Sequence, residues 1–541
     1  AEQISDHAPL IWTLESKGTH SAGSKNFTAR PEWIAHPVFL KHSTMMSDAI
    51  DFTQLSLADQ KSNIILIARA SAIAARDAIA FADPTDISIR MMRLNSIAQA
   101  IFSSDTILAS KLIRHSDYAA RFLCISAGKP SLISQSAFEE EFADARRLHI
   151  NRERECILKD FECLPETCPQ KKSKLKNNTK KAICWRKRFS KVTLIALRVT
   201  SAVAAAVGLS FSPPPAGPDI IHCNNPNDIS KVLAHHWSAV FAKKTMNKDL
   251  AKPILKKYSE NVIWNWNLSR PPDSNTVDNA ITNSKLSSPG CDNITNNVWK
   301  YGPPQFRHYL YDCLDSHLEG SPPHDHFNDG LWAFPPKGEQ EDDGSNGPGC
   351  VVRSPAETRP LTMKNTDNKI IAAAVTYASI PTFKDAVHPI QQGFVPGRNF
   401  VGNVVQLDLE SRVNALRCMG NRGVSLPSVL LPAHSVAKIA CTMLFDFAAA
   451  FPSVFQAWLL AVLHAIKAPI GFINTFISMY SVNDAYTRVK GEFVFMFKVF
   501  SGVLQGCPLS GALFNVGIDP LLWSFSHAIV QPGLGKVFAC A

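Results

Sequence analysis

The sequence predicts an α+β protein: a helical N-terminal half, then a C-terminal half in which helices pack on an antiparallel sheet. Three observations carry this. Between 58 and 81, Ile65, Ala68, Ala72, Ala75 and Ile79 recur at steps of three and four with no Gly or Pro between them, which is one face of a helix. Met443, Leu444 and Phe445 form a short apolar run ending at Asp446, followed by an Ala-rich turn and a helical stretch over 453–466, so a buried strand leads into a helix. The segment 472–503 then reads as a short helix and a hairpin turning at Lys490-Gly491.

Taken in order, residues 15–50 are polar and rich in Gly, Ser, Pro and Lys and read as a linker, with Trp33 and Phe39 docking it locally. A helical region follows over 51–165, and nothing in it has catalytic spacing. Residues 166–220 read as a basic and Pro-rich linker. Inside it, 171–191 holds ten Lys or Arg and no acid, among them Lys171, Lys172, Lys180, Lys181, Arg186, Lys187 and Arg188, with Trp185 and Phe189 interleaved. Phosphate-backbone contact, a nuclear-localisation signal and a solvated loop all fit that composition. The apolar window 192–209 is interrupted by Arg198 and rich in small residues, and reads as a buried or docked helix rather than a membrane span.

A helical extension occupies 221–284. In it Ile229, Leu233, Trp237 and Phe241 fall at four-residue steps behind a cap at Asn227 or Asp228. His235 and His236 are adjacent, so they diverge on a helix and read as packing or surface groups, not as metal ligands.

The 541 residues can bury several cores, and 56 Lys and Arg against 46 Asp and Glu leave a formal charge of +10 that favours an anionic partner. Thirteen Cys without paired CxxC spacing give no support to a zinc ribbon or a secreted disulfide framework, and reduced intracellular thiols are the default. No charged-then-apolar leader follows Ala1. An intracellular, nuclear protein made in the cytoplasm, with no membrane partner, is the expectation; oligomeric state is not readable.

From residue 285 the chain resembles the reverse transcriptase of non-long-terminal-repeat retrotransposons, block by block. SSPGCDNITNNVWK (287–300) resembles the family's Pro-Gly-x-Asp block, although Cys291 and Asn293 depart from it. LWAFPPKGEQ (331–340) resembles the first fingers strand, and a hairpin-like gap (341–350) leads to RPLTMKNTDNKIIAAAV (359–375), which resembles the Arg-Pro and Asp-x-Lys block. QQGFVPGRNFVGNVVQLD (391–408) resembles the Gln-x-Gly-Phe-x-x-Gly-Arg block. Motif A is AKIACTMLFDFAAAFPSV (437–454), with Pro452 where many relatives carry Asp. Motif B is FSGVLQGCPLSGALFNVGIDPLL (500–522), with Cys507 for the usual Ser, Pro508 opening a helix, and Leu513, Phe514, Val516 and Leu521 packing it on the sheet.

The resemblance implies fingers and a partial palm over 285–541, binding an RNA template, a DNA primer or target, and dNTPs. It implies that Asp446 is the catalytic metal ligand for two Mg2+ (or Mn2+) ions. It places Lys369, Arg398, Phe447, Ala450, Phe451, Gln505 and Gly506 about the nucleotide, with Phe451 excluding a 2′-hydroxyl, and Arg359 on nucleic acid. Asp446 is the sole acid between Glu410 and Asp484. No adjacent aspartate pair follows motif B before Ala541, so this polypeptide is expected not to polymerise by itself. Ser5-Asp6-His7 resembles the last catalytic loop of the endonuclease/exonuclease/phosphatase family, which precedes the reverse transcriptase in such elements. There Asp6 would orient His7, and residues 1–14 would be that domain's end. A non-catalytic nucleic-acid-binding remnant is the alternative reading. A viral RNA-dependent RNA polymerase is a third, disfavoured because a polar residue is usual where Phe451 stands.

Overall fold

The computed structural model describes residues 29–81, 87–102, 104–162, 193–209, 219–285, 287–337, 350–420, 449–489 and 491–530. Asp6, His7, the basic segment with Lys171, Lys172, Lys180, Lys181, Arg186, Lys187 and Arg188, the 443–445 strand, Asp446 and Phe447 lie outside them.

The N-terminal part is helical, as the periodicity requires. The expected helix spans Leu57–Phe81, with Ala68, Ala72, Ala75 and Ile79 buried; Ile64 and Ile67 take the core position assigned to Ile65, which is only partly covered. Within the expected linker over 15–50, the described residues from 29 onward are largely helical. Helices Pro31–Ile34 and Pro37–Asp48 each begin with a proline at the first turn and bury Ile34 and Phe39. A second, smaller core gathers Leu94, Ile97, Leu112, Leu123 and Phe138. It is built from helices Ile87–Phe102, Thr106–His115 and Gln135–Glu162 with the hairpin β1 (Leu123–Ser126) and β2 (Lys129–Leu132).

The apolar window 192–209 is not one helix. Thr193–Val199 is strand β3, and Ser201–Ala206 is a short helix capped by the Thr200 side chain. β3 lies between β4 (Ile221–Cys223), antiparallel to it, and β6 (Cys350–Arg353), parallel to it. Its strand identity is set by partners about 20 and 150 residues away, which no local window contains. Residues 193–206, placed in a linker by sequence, therefore belong to the C-terminal unit. The helix Pro226–Val240 is present with Ile229, Leu233, Trp237 and Phe241 all buried, but it starts earlier than expected. Asn225 is its cap, accepting the Asn227 amide at 2.9 Å, because Pro226 supplies the first helical residue.

The second sheet runs β7 (Leu361–Lys364), β5 (Gly330–Ala333), β8 (Asp484–Val489), β9 (Glu492–Lys498). The expected hairpin is β8–β9, but the sheet is mixed rather than antiparallel, because β5 and β8 pair in parallel. One continuous core joins Ile64 and Phe39 of the N-terminal helices to Trp299, Tyr309, Ile371 and Leu513 of the C-terminal unit. Among the described residues no helix is long and apolar enough to cross a membrane.

Candidate functional site

Phe451 and Gln505-Gly506, 54 positions apart in sequence, are brought together by backbone pairing. The Val503 amide donates to the Phe451 carbonyl at 2.9 Å and the Gly502 amide to the Val454 carbonyl at 2.8 Å. Gly502, at φ +83°, lies so close to Pro452 that an added Cβ would sit 2.8 Å from the Pro452 backbone. Pro452, the departure from the family pattern, is buried here. The Gln505 carbonyl then accepts the Thr362 amide at 2.8 Å, and Leu361 bridges Gln505 in parallel, so the turn lies along the outer edge of β7. Gly506 has φ +115°, and a Cβ there would meet the Thr362 carbonyl oxygen at 2.3 Å, so only glycine fits.

The Phe451 ring is held on two sides. It stacks on Phe514 at 4.9 Å with 6° between planes and takes Phe394 edge-on at 5.4 Å. Ala449, at φ +50°, turns the chain left-handed into the short Ala450–Ser453 helix and delivers Phe451 to that position. Phe394 is also left-handed, at φ +57°, and lies over Gly511, where a Cβ would come 3.0 Å from its ring.

The loop bearing Phe394 is fixed from two directions. On the Ser510–Phe525 helix, Asn515 accepts Gln391 Nε2 at 2.8 Å and donates to the Gly393 carbonyl at 3.1 Å, while Asp519 accepts the His388 amide at 2.7 Å and the Tyr258 hydroxyl at 2.5 Å. Burial raises the Asp519 carboxyl above the usual carboxylate range. From the other direction Arg398 donates to the carbonyls of His388, Gln391, Lys384 and Val387 at 2.8–3.1 Å. Its fork is therefore occupied by backbone oxygens. In this structure the guanidinium thus clamps the loop that leads to Phe394.

Lys369 is likewise tethered: its ammonium donates to the Ser288 carbonyl at 2.7 Å and to Ser287 Oγ at 3.3 Å, and burial pulls it down to about 8. Arg359 is exposed. Leu513, Phe514 and Val516 pack the Ser510–Phe525 helix inward as expected, whereas Leu521 is 38% exposed and Leu522 takes the inward position.

Sequence reasoning missed the groups that hold these elements. Phe394 lay inside a block already singled out, but nothing local pairs it with Phe451. Lys61 had no signal at all: its ammonium is buried, 2.6 Å from both Asp292 and Asp367, across 231 and 306 residues, and 5.1 Å over the Trp299 ring. Tyr309 adds a hydroxyl donor to Asp367 at 3.2 Å. Burial works against ionisation throughout this cluster, yet the two facing carboxylates hold the Lys61 ammonium well above its ordinary value, and Lys61 holds Asp367 low.

Residues 346–540 match the family model for Reverse transcriptase (RNA-dependent DNA polymerase). This segment is a reverse transcriptase domain. A stretch of 164 residues is also 27% identical to the Transposon TX1 uncharacterized 149 kDa protein of Xenopus laevis, covering 30% of this chain and 11% of that protein. The ordered blocks from 287 onward, this match and this relative agree on a reverse transcriptase segment of the non-long-terminal-repeat retrotransposon kind. Polymerases of this family use divalent metal ions. Among the described residues no group of three His, Cys, Asp or Glu side chains could hold one, and Asp446 lies outside them.

Proposed function

We propose that this chain carries the fingers and part of the palm of a retrotransposon polyprotein's RNA-directed DNA polymerase, acting on an RNA template, a DNA primer and dNTPs. The observation that carries this reading is the closure of the Phe451 turn on the Gln505-Gly506 turn, with the latter hydrogen-bonded to β7, inside the segment matching the reverse transcriptase family. In this reading Asp446 holds Mg2+ or Mn2+, which supplies charge stabilisation for nucleotidyl transfer. The described residues do the positioning. A flat apolar ring at 451, kept upright by Phe394 and Phe514, leaves no room for a 2′-hydroxyl and offers it no hydrogen-bond partner, so deoxynucleotides are selected. Gly506 keeps the backbone low beside β7, where a templating base and an incoming nucleotide would lie.

Arg359, exposed beside β7, and the 171–191 cations serve phosphate contact, and Asp6 with His7 are read as the end of an upstream endonuclease. The same cations serve nuclear entry.

Within these 541 residues no aspartate pair follows Gln505-Gly506. The polypeptide alone therefore extends a primer on RNA no faster than its Asp446→Asn variant. Extension clearly above that control would overturn the requirement for a second acidic motif.

A further inference from the structure

The solvent face of the β8–β9 hairpin carries an aromatic and cationic surface that the reading above leaves unused. Cross-strand partners share a face, and the register sets Tyr486 opposite Phe495 and Arg488 opposite Phe493, with Asp484 opposite Lys498. A one-residue shift between Ala485 and Tyr486 leaves Met496 unpaired, so Phe497 turns inward while Phe493 and Phe495 stay outside, 39% and 50% exposed. The Arg488 guanidinium lies 4.8 Å over the Phe493 ring and is steadied by Asn293 Oδ1 at 2.6 Å. The Tyr486 and Phe495 rings meet edge-on at 5.8 Å. Among the described residues β9 is the sheet's edge strand, so no further strand flanks it on its outer side.

We infer that this face is a stacking platform for single-stranded template RNA, a role that rests on the polymerase reading. Three features select that occupant. Planar rings and a planar guanidinium accept any base on their faces, which suits a strand whose sequence must not matter. The face bears two cations against one acid, and that acid, Asp484, is already paired with Lys498 at 2.9 Å, so Arg488 is left as the charge that complements a phosphate backbone. The placement also fits a template. Gln505 pairs on the outer edge of β7, so it is four strand spacings from β9, roughly 19 Å, which is about six nucleotides of a stacked strand at ~3.4 Å each.

The test is fluorescence anisotropy of the 541-residue chain with a labelled 12-nucleotide oligouridylate and with an RNA duplex of equal length, at several salt concentrations. Phe493→Ala/Phe495→Ala is expected to weaken single-strand binding at least about 10-fold, with the salt slope and duplex binding unchanged. The corresponding double Tyr variant should stay within about twofold of the parent and the double Leu variant should not, because stacking needs the ring. Phe493 and Phe495 both face outward, and an unchanged thermal midpoint confirms the fold. Single-strand binding by the Ala variant within twofold of the parent overturns the platform, as does equal loss on the duplex. A separate arm reads the template assignment: 4-thiouridine placed about six nucleotides ahead of the primer end should cross-link to this hairpin more than at other positions. Cross-linking that ignores the primer end overturns the template role and leaves the platform itself standing, whereas dNTP over rNTP selection tests the polymerase reading independently.

Discussion

Replacing Lys61 by Met should be among the most costly single changes in the chain. Lys61, Asp292 and Asp367 have side chains only 6%, 6% and 1% exposed, so removal of the cation leaves two carboxylates out of water with no counter-charge. Breaking such a pair from one side costs about 3–5 kcal/mol, and the lost contact with Trp299 adds to it. The cost is pH-dependent. Without Lys61 a carboxyl of the pair has a folded pKa above its unfolded value, so the penalty is full at neutral pH and shrinks as pH falls through that raised pKa and one carboxyl takes a proton. Urea unfolding followed by tryptophan fluorescence, at pH 7 and pH 5, reads both effects. In an Asp292→Asn/Asp367→Asn background the same Lys61→Met change should cost less than half as much. A loss below about 1 kcal/mol, or an equal loss in both backgrounds, would refute the view that this cluster ties the N-terminal helices to the C-terminal unit.

Two further predictions concern turn geometry and pH. Gly506→Ala forces a Cβ against the Thr362 carbonyl at an unfavourable φ and should cost about 1–3 kcal/mol, seen as a lowered urea midpoint; an unchanged midpoint would show that the turn does not depend on β7. His317 is buried with Nδ1 on Ser478 Oγ at 2.6 Å, and burial pulls it down to about 4. It is neutral in the fold and charged in the unfolded chain between about pH 4 and 6.5, so the unfolded state binds more protons and stability falls as pH drops through that window. The fall should reach about 3 kcal/mol, and His317→Gln should flatten it; a parent and variant with the same acid profile would contradict this.

The helices that face the core were legible because periodicity is local. Ile229, Leu233, Trp237 and Phe241 are buried as their spacing requires, and the β8–β9 turn sits where Gly491 put it. What was not legible depends on distant partners. Strand β3 lay in an apolar window that read as a helix, and it is a strand because it pairs with β4 and β6. The parallel β5–β8 contact likewise has no local signature. At the site, Phe451 and Gln505-Gly506 were recognisable from their blocks, and Gly506 is fixed by a steric requirement that a sequence can express only as a glycine. Arg398 stood out within its block, but its role as a loop clamp did not, because its neighbours in space are four carbonyls, which carry no side-chain identity.

The central claim is that the Phe451 and Gln505-Gly506 turns form the nucleotide site of a DNA-making polymerase. The most direct measurement joins this chain to a hairpin bearing two adjacent aspartates and compares dNTP with rNTP incorporation on an RNA template, with Phe451 intact and as Phe451→Ala. A strong preference for dNTPs that collapses in the variant by at least about 10-fold, through gain of rNTP use, is the predicted result. Equal use of both nucleotides by the parent, or a preference untouched by Phe451→Ala, would contradict it.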